Sequence, residues 1–278
     1  MSPVLDNPRP FRPAGRLRAS LYAVLWRLSA LLARASTACA CLAAGLLRRD
    51  DLRAAMQRQF SDFGASPDEV DEGLNPFEVR VYTKWLPPSG RVLLVGSGAG
   101  RDLIGLARLG YAVAGIEQAP DLVDASRGHL ARRGITACVR TGFVEAIEIE
   151  GEYDAVIFAP SCYSNMRSSE VRVATLRRLR THLAPGGRIV INYIATGSPS
   201  RLATTLVRVS AAITMAGWRP EAGDSFSFRR LAPDVPYFFH TFLPADVARE
   251  CASAGLRPIG EECPPDRSHC IVVQKDGD

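Results

Sequence analysis

The feature that most constrains the fold is a short apolar segment that runs directly into alternating glycines. Residues 92–95 are Val-Leu-Leu-Val, and Gly96, Gly98 and Gly100 follow at every second position before a helix-compatible segment that begins near Asp102. A buried parallel strand, a tight turn and a helix N-terminus have this pattern. Glycine has no Cβ and tolerates positive φ, so a ligand can approach the backbone of such a turn. The N–H groups at the helix start then favour an anionic group.

The spacing of the glycines separates two classes of nucleotide ligand. A dinucleotide fingerprint, Gly-x-Gly-x-x-Gly, needs its third glycine at the position of Arg101, whereas this chain has it one residue earlier, at Gly100. In this Gly-x-Gly-x-Gly pattern the chain resembles class I S-adenosylmethionine (SAM) dependent methyltransferases. An NAD-dependent oxidoreductase is the competing interpretation, and the spacing argues against it.

Three later segments carry the same resemblance in the same order. Residues 110–117, GYAVAGIE, predict a second strand whose last residue, Glu117, lies about 20 positions after the first glycine, where a carboxylate can accept hydrogen bonds from ribose hydroxyls. Residues 153–159, YDAVIFA, predict a buried strand, and residues 183–191, LAPGGRIVI, predict a turn and a fifth strand. The resemblance covers residues 75–275. It implies an α/β fold of three layers, with a doubly wound, seven-stranded, mostly parallel sheet and an N-terminal helical extension.

The resemblance also implies which residues hold SAM. The glycine loop should hold the methionine end and Glu117 the ribose. Near the adenine, Phe143 stacking, a displaced Glu145 and backbone groups remain alternatives, because the acid that many relatives place after the third strand is absent. The expected cofactor-binding residues are Gly96, Ser97, Gly98, Gly100, Asp102, Glu117, Gln118, Gly142, Phe143 and Ser161.

Methyl transfer from SAM mainly requires alignment of the nucleophile, but an acceptor hydroxyl or protonated amine also needs a proton acceptor. Our candidate catalytic residues are His240, a potential base, and Tyr163 and Asn165, which follow the fourth strand and should orient the acceptor. Asp224 and Glu221 are the alternative bases, and a purely structural role for His240 stays open. The sequence has no Cys-x-x-Cys pair or His-Cys cluster at zinc spacing, so we predict no metal.

The N-terminal part of the chain is basic, with ten arginines and three aspartates before residue 60. Residues 1–15 predict a disordered lead, residues 16–75 a helical extension or cap, and residues 76–278 the methyltransferase domain. Arg16 to Leu47 predicts one amphipathic helix. The helix could pack on the catalytic domain or on a partner subunit, make peripheral contact with a membrane, or span it or be cleaved. No RNA-binding motif accompanies the basic charge, so nucleic acid is not expected as a partner.

These features predict a cytoplasmic SAM-dependent methyltransferase that acts on a small-molecule acceptor, a metabolite or natural-product intermediate. The seven cysteines fit reduced thiols in the cytosol. The alternative is a SAM-binding module that has lost catalysis and serves regulation or interaction.

Overall fold

The computed structural model describes residues 15–61, 67–196, 201–227, 234–263 and 268–277. The predicted disordered lead therefore lies outside the described residues, apart from Gly15. The predicted seven-stranded sheet is confirmed, with the order β3-β2-β1-β4-β5-β9-β8. Its last strand in sequence, β9, runs antiparallel to both of its neighbours, and the other pairs are parallel. The strands are β1 Gly90–Val95, β2 Tyr111–Glu117, β3 Cys138–Thr141, β4 Tyr153–Phe158, β5 Leu183–Ile194, β8 Leu256–Glu262 and β9 Ser268–Lys275.

The sheet is covered by helices on both faces, which gives the predicted three layers. Successive side chains of β1 point to opposite faces, so Leu94 contributes to one hydrophobic core and Leu93 to the other. Because both faces are buried, β1 is apolar from Val92 to Val95 rather than alternating. The helices on the Leu94 face are α4 Pro76–Trp85, α5 Arg101–Arg108 and α6 Pro120–Arg132, and those on the Leu93 face are α7 Ser169–Thr181 and α9 Pro244–Ser253.

A third, smaller core joins elements outside the main sheet. It contains Cys41, Leu52, Val207, Phe226 and Phe238, which come from five different elements. We call the segment from α8 (Arg201–Ile213) through β6 (Asp224–Ser227), together with its partner strand β7 (Tyr237–His240), the cap. Residues 225–229, Ser-Phe-Ser-Phe-Arg, alternate as a strand does, and β6 contains the first three of them. The bounds are α1 Arg16–Leu46, α2 Arg49–Ser61, α3 Pro67–Glu72, α8 Arg201–Ile213, β6 Asp224–Ser227 and β7 Tyr237–His240.

The buried residues of helix α1 lie in its last turns. Ala40, Cys41, Ala44 and Gly45 are its buried residues. At Gly45 the approach to α8 is so close that an added Cβ would lie 1.7 Å from Ser210 Oγ. Earlier in the helix, large apolar side chains face solvent, as the exposures of 63% and 65% at residues 25 and 26 show. By length and composition, α1 could cross a membrane.

Candidate functional site

The three glycines of the loop between β1 and α5 share positive φ values but differ in their surroundings. Gly96, Gly98 and Gly100 have φ values of 79°, 52° and 97°, in the left-handed region that favours glycine. A Cβ at Gly96 would lie 2.7 Å from Cys162 Sγ, so this part of the loop packs against the segment after β4. A Cβ at Gly98 would meet nothing within 4 Å. The middle of the loop therefore borders open space.

Glu117 ends β2 and lies against this loop. One carboxylate oxygen accepts a hydrogen bond from the Gly98 N–H at 2.9 Å, and the other accepts from the Ala119 N–H at 3.0 Å. The side chain is buried, and burial raises the pKa of the Glu117 carboxyl although the backbone N–H groups oppose this shift. The acid is thus held at the carboxyl edge of the sheet by the backbone of two loops.

The open space beside the loop is a cavity of about 330 Å³, which we call the glycine-loop cavity. Ser97 also lines it, and the Ser97 hydroxyl is buried without a hydrogen-bond partner within the described part of the chain. Gly100 and Ser161 were also expected here but do not line the cavity: Gly100 caps α5, and the Ser161 carbonyl accepts from the Asn165 side chain. The predicted residues that do line it are Gly96, Ser97, Gly98, Asp102, Glu117, Gln118, Gly142 and Phe143.

Arg101 is a further lining residue whose position is fixed by two acids. Its guanidinium donates to Glu78 at 2.7 Å and to the neighbouring Asp102. Glu78 is itself part of a capping box with Asn75 at the start of α4. The Asn75-Pro76-Phe77-Glu78 pattern is a recognisable helix start, but nothing in the sequence indicates that it lies beside the glycine loop.

Helix α2 covers part of the glycine-loop cavity with Met56 and Phe60. Two side-chain amides join it to the end of β2: Gln57 donates to the Gln118 carbonyl at 3.2 Å, and Gln118 donates to the Met56 carbonyl at 3.4 Å. Aromatic residues of such a helix are more often part of the core than ligand contacts, so the sequence alone does not assign Phe60 to this cavity. The structure places the helix over the predicted cofactor site.

A second cavity of about 690 Å³ adjoins the first and shares Glu145 and Arg167 with it. We call it the arginine cavity. Its wall comes from α2, from α7 and the segment before it, and from the cap. The arginines that line it are Arg49, Arg53, Arg167, Arg208 and Arg219.

Of the residues expected to orient the acceptor, one lines a cavity and one does not. Asn165 lines the glycine-loop cavity, and its side-chain oxygen is buried without a hydrogen-bond partner among the described residues. Tyr163 is instead fully buried, and its hydroxyl donates to Glu250 at 2.6 Å. The expectation that Tyr163 faces the acceptor therefore differs from the structure. The 3₁₀ helix Tyr163–Asn165 turns this side chain into the core.

The structure pairs His240 with one of the alternative bases. His240 Nδ1 lies 2.7 Å from Asp224 Oδ1, and both residues are buried. Because an ionised carboxylate only accepts, Nδ1 is the donor of this hydrogen bond. Asp224 and Glu221 line the arginine cavity, whereas His240 lies behind Asp224 and outside the lining residues.

Glu221, Asp224 and His240 bring three ligand-type atoms within 4.8 Å of one another, a spacing that could hold a metal ion. All three already have protein partners. Glu221 accepts from the Ser169 N–H and from Arg172, and Asp224 accepts from the Glu221 N–H as well as from His240. Hydrogen bonding within the protein therefore accounts for the cluster.

Comparisons with known proteins agree with this architecture. Residues 92–187 match the model of a methyltransferase domain family. A ubiquinone biosynthesis O-methyltransferase of Xanthomonas axonopodis pv. citri is 31% identical over 195 residues, which cover 69% of this chain and 73% of that protein. The family match at residues 92–187 includes most of β1, the glycine loop and Glu117.

Solved structures share the fold at much lower identity. A SAM-dependent methyltransferase from Methanosarcina mazei aligns with a TM-score of 0.58 at 14% identity, covering 73% of this chain and 98% of that one. The glycopeptide N-methyltransferase MtfA, solved with SAM, aligns with a TM-score of 0.53 at 16% identity, covering 72% of this chain and 87% of that one. Together with the 31% identical relative, they show that this chain belongs to the class I SAM-dependent methyltransferases.

Proposed function

We propose that this enzyme methylates a hydroxyl group of a small molecule that binds in the arginine cavity. The observation that carries the proposal is the Asp224–His240 pair, which lies at the wall of a cavity directly beside the glycine-loop cavity. A carboxylate backed by an imidazole is a suitable proton acceptor for a hydroxyl nucleophile. The name of the relative from Xanthomonas axonopodis, an O-methyltransferase, agrees with oxygen as the methylated atom.

We propose that the glycine-loop cavity holds SAM through the residues that line it. The glycine loop and the Ser97 hydroxyl would bind the methionine end, Glu117 would accept from the ribose hydroxyls, and Phe143 would lie near the adenine. SAM, when bound, supplies a methyl group on a positively charged sulfur. The remaining work of the protein is to align the acceptor and exclude water.

We propose that Asp224 takes the proton from the acceptor hydroxyl. Its carboxylate lines the arginine cavity, whereas His240 donates to it from behind and holds its orientation. Glu221, whose N–H donates to the other Asp224 oxygen at 2.7 Å, fixes the second oxygen. His240 is then a positioning residue that acts through its hydrogen bond to Asp224.

The proposal is tested by a screen of hydroxylated acceptors, scored by release of S-adenosylhomocysteine. We expect product from phenolic or aliphatic hydroxyl compounds and identify the methylated atom by mass spectrometry and NMR. If methylation occurs only on nitrogen or sulfur, the assignment to O-methylation is wrong.

Replacing Glu117 by alanine should weaken binding of S-adenosylhomocysteine by about 1.5–3 kcal/mol, because hydrogen bonds to a charged group are lost. Titration calorimetry measures this change. Glu148→Ala, which removes an exposed acid from the loop between β3 and β4, is the matched control and should leave the affinity unchanged. Equal affinity for the Glu117 variant and the wild type would contradict the ribose assignment.

We also propose that the protein is cytoplasmic and that α1 lies on an anionic membrane surface. The helix exposes Leu21, Leu25 and Trp26 to solvent. Arg27 and Arg34 interrupt its apolar sequence. Apolar side chains that can enter the interface, with arginines that meet anionic headgroups, are typical of interfacial helices. The interrupting charges disfavour a spanning helix.

This membrane contact predicts a blue shift of Trp26 fluorescence with phosphatidylglycerol vesicles, which salt should reduce because the attraction is electrostatic. Trp26→Phe gives the background from the remaining tryptophans. The double variant Arg27→Glu/Arg34→Glu should lose most of the binding. If the protein does not bind phosphatidylglycerol vesicles, or binds phosphatidylcholine vesicles equally well, α1 does not lie on an anionic membrane surface.

A further inference from the structure

The arginine cavity is lined by more arginines than the binding of a neutral acceptor would require. Five arginines line it, and of these only Arg53 has a carboxylate partner among the residues that the structure describes, Glu145 at 3.4 Å. The remaining arginines form no such ion pair within the same described ranges. An arginine on a protein surface needs no partner, but several around one cavity repel one another unless an anion lies between them.

The electrostatics of Arg167 show this repulsion. Burial is the main cause that lowers the pKa of its guanidinium, and the positive charges of Arg53 and Arg49 lower it further, although Glu145 and Asp50 oppose the shift. Arg167 also donates to the Arg49 carbonyl, which holds the two segments together. A bound anion would relieve the repulsion among these groups.

Four acidic side chains line the same wall, one fewer than the arginines. Glu221 is engaged by Arg172, and Asp224 is engaged by His240, both from outside the cavity lining. Glu145 is bonded to Arg53, whose guanidinium lies 5.2 Å from the centre of the Phe143 ring. Glu170 is then the lining acid without an ion pair among the described residues, against four such arginines.

The cavity also has surfaces suited to the rest of an acceptor. Trp218 and Phe238 line it, and the Trp218 indole N–H donates to the Leu47 carbonyl, which fixes the ring. Arg208 is held by a hydrogen bond from its Nε to the Pro220 carbonyl at 2.8 Å. Its terminal nitrogens remain available for a ligand.

We propose that the acceptor of this enzyme carries an anionic group, a carboxylate or a phosphate, and that the arginine cavity binds this group. Arginine presents a planar set of donors that matches both anions. Anchoring the anion there would orient the rest of the acceptor and bring its hydroxyl to Asp224. The inference rests on the proposed assignment of this cavity to the acceptor.

The test is calorimetry on the full-length protein saturated with S-adenosylhomocysteine. The probes are 3,4-dihydroxybenzoate and its methyl ester, which differ in charge and keep the same hydroxyls. We expect the acid to bind roughly tenfold more tightly or better, the gain of one charge-assisted hydrogen bond. Competition by inorganic phosphate would indicate a phosphorylated acceptor, and its failure to compete with a bound acid would indicate a carboxylate.

Variants locate the binding. Arg208→Gln and Arg219→Gln should each weaken binding of the acid on the order of tenfold and leave the ester unaffected. Arg201→Gln, on the same helix as Arg208 but outside the cavity lining, is the matched control and should behave as wild type. Arg219 makes no side-chain hydrogen bond within the described ranges, so its variant should keep the fold even if loss of Arg208 loosens the cap.

The outcomes separate this inference from the proposed function. Three results would overturn the anionic acceptor. They are equal binding of the acid and the ester, binding of neither while S-adenosylhomocysteine binds normally, and a loss of acid binding in Arg201→Gln as large as in the cavity variants. If only neutral hydroxyl compounds are methylated, the anionic acceptor is also overturned, but the proposed O-methylation is supported. Arginine-dependent binding of the acid without methylation of any hydroxyl compound would support the anion site and refute the proposed reaction.

Discussion

Replacing Arg172 by methionine should lower the free energy of unfolding by about 3–5 kcal/mol, because it leaves buried acids without their partner. Arg172 is 1% exposed and bonds Glu250 at 2.8 Å and Glu221 at 3.0 Å, so it joins the Leu93-side core to the cap. Tyr163 donates to the same Glu250 carboxylate. Chemical denaturation followed by circular dichroism measures the loss, and Arg177→Met, an exposed arginine on the same helix, should change stability far less.

The same experiment has a pH dependence with a definite sign. Burial raises the pKa of the Glu250 carboxyl, but the hydrogen bonds and charge of Arg172 outweigh it, so the pKa is lowered from 4.5. Because the pKa of Glu250 is lower in the folded protein than in the unfolded chain, its ionised carboxylate stabilises the fold when the pH is above the pKa of the unfolded chain. This contribution is lost as the pH falls through the pKa of the folded protein. The difference in the free energy of unfolding between wild type and Arg172→Met should therefore be largest at neutral pH and shrink below about pH 4. A variant as stable as the wild type at neutral pH would show that the network contributes nothing.

Asp224→Asn should lower kcat by about two to four orders of magnitude, the usual range for loss of a proton acceptor, with unchanged binding of S-adenosylhomocysteine. Asparagine keeps the shape of the side chain but cannot take the proton. Asp234→Asn, an exposed acid shortly before β7, is the control and should keep near wild-type kcat.

His240→Asn extends this test because the two residues are proposed to act together. Its kcat should also fall, and the double variant should be little worse than Asp224→Asn alone, since residues that act as a unit are not additive. If Asp224→Asn retains kcat while His240→Asn loses it, the imidazole rather than the carboxylate takes the proton. If both variants keep kcat, the pair is structural.

The central sheet and the glycine loop could be predicted from local patterns in the sequence. An apolar run, alternating glycines and a strand that ends in Glu117 are contained within about 30 residues, and short-range sterics determine them. The boundaries moved only slightly, as for the third strand, expected at residues 136–140 and observed at Cys138–Thr141.

The second cavity could not be predicted in this way, because its wall is assembled from segments far apart in the chain. Arg49, Arg167 and Arg219 belong to α2, the segment before α7 and the loop before β6, and each by itself resembles a solvated arginine. The burial of Tyr163 likewise depends on Glu250, 87 residues later in the sequence. Pairing of His240 with Asp224 required the β6–β7 register, which aligns these two residues directly.

Helix α2 has a consequence for the order of events in turnover. It places Met56 and Phe60 over the glycine-loop cavity and Arg49 and Arg53 on the wall of the adjoining one. One helix therefore lines both compartments, and its displacement would widen both at once. With the cofactor and acceptor bound as proposed, a movement of this helix would ease the exit of spent nucleoside and of methylated product together.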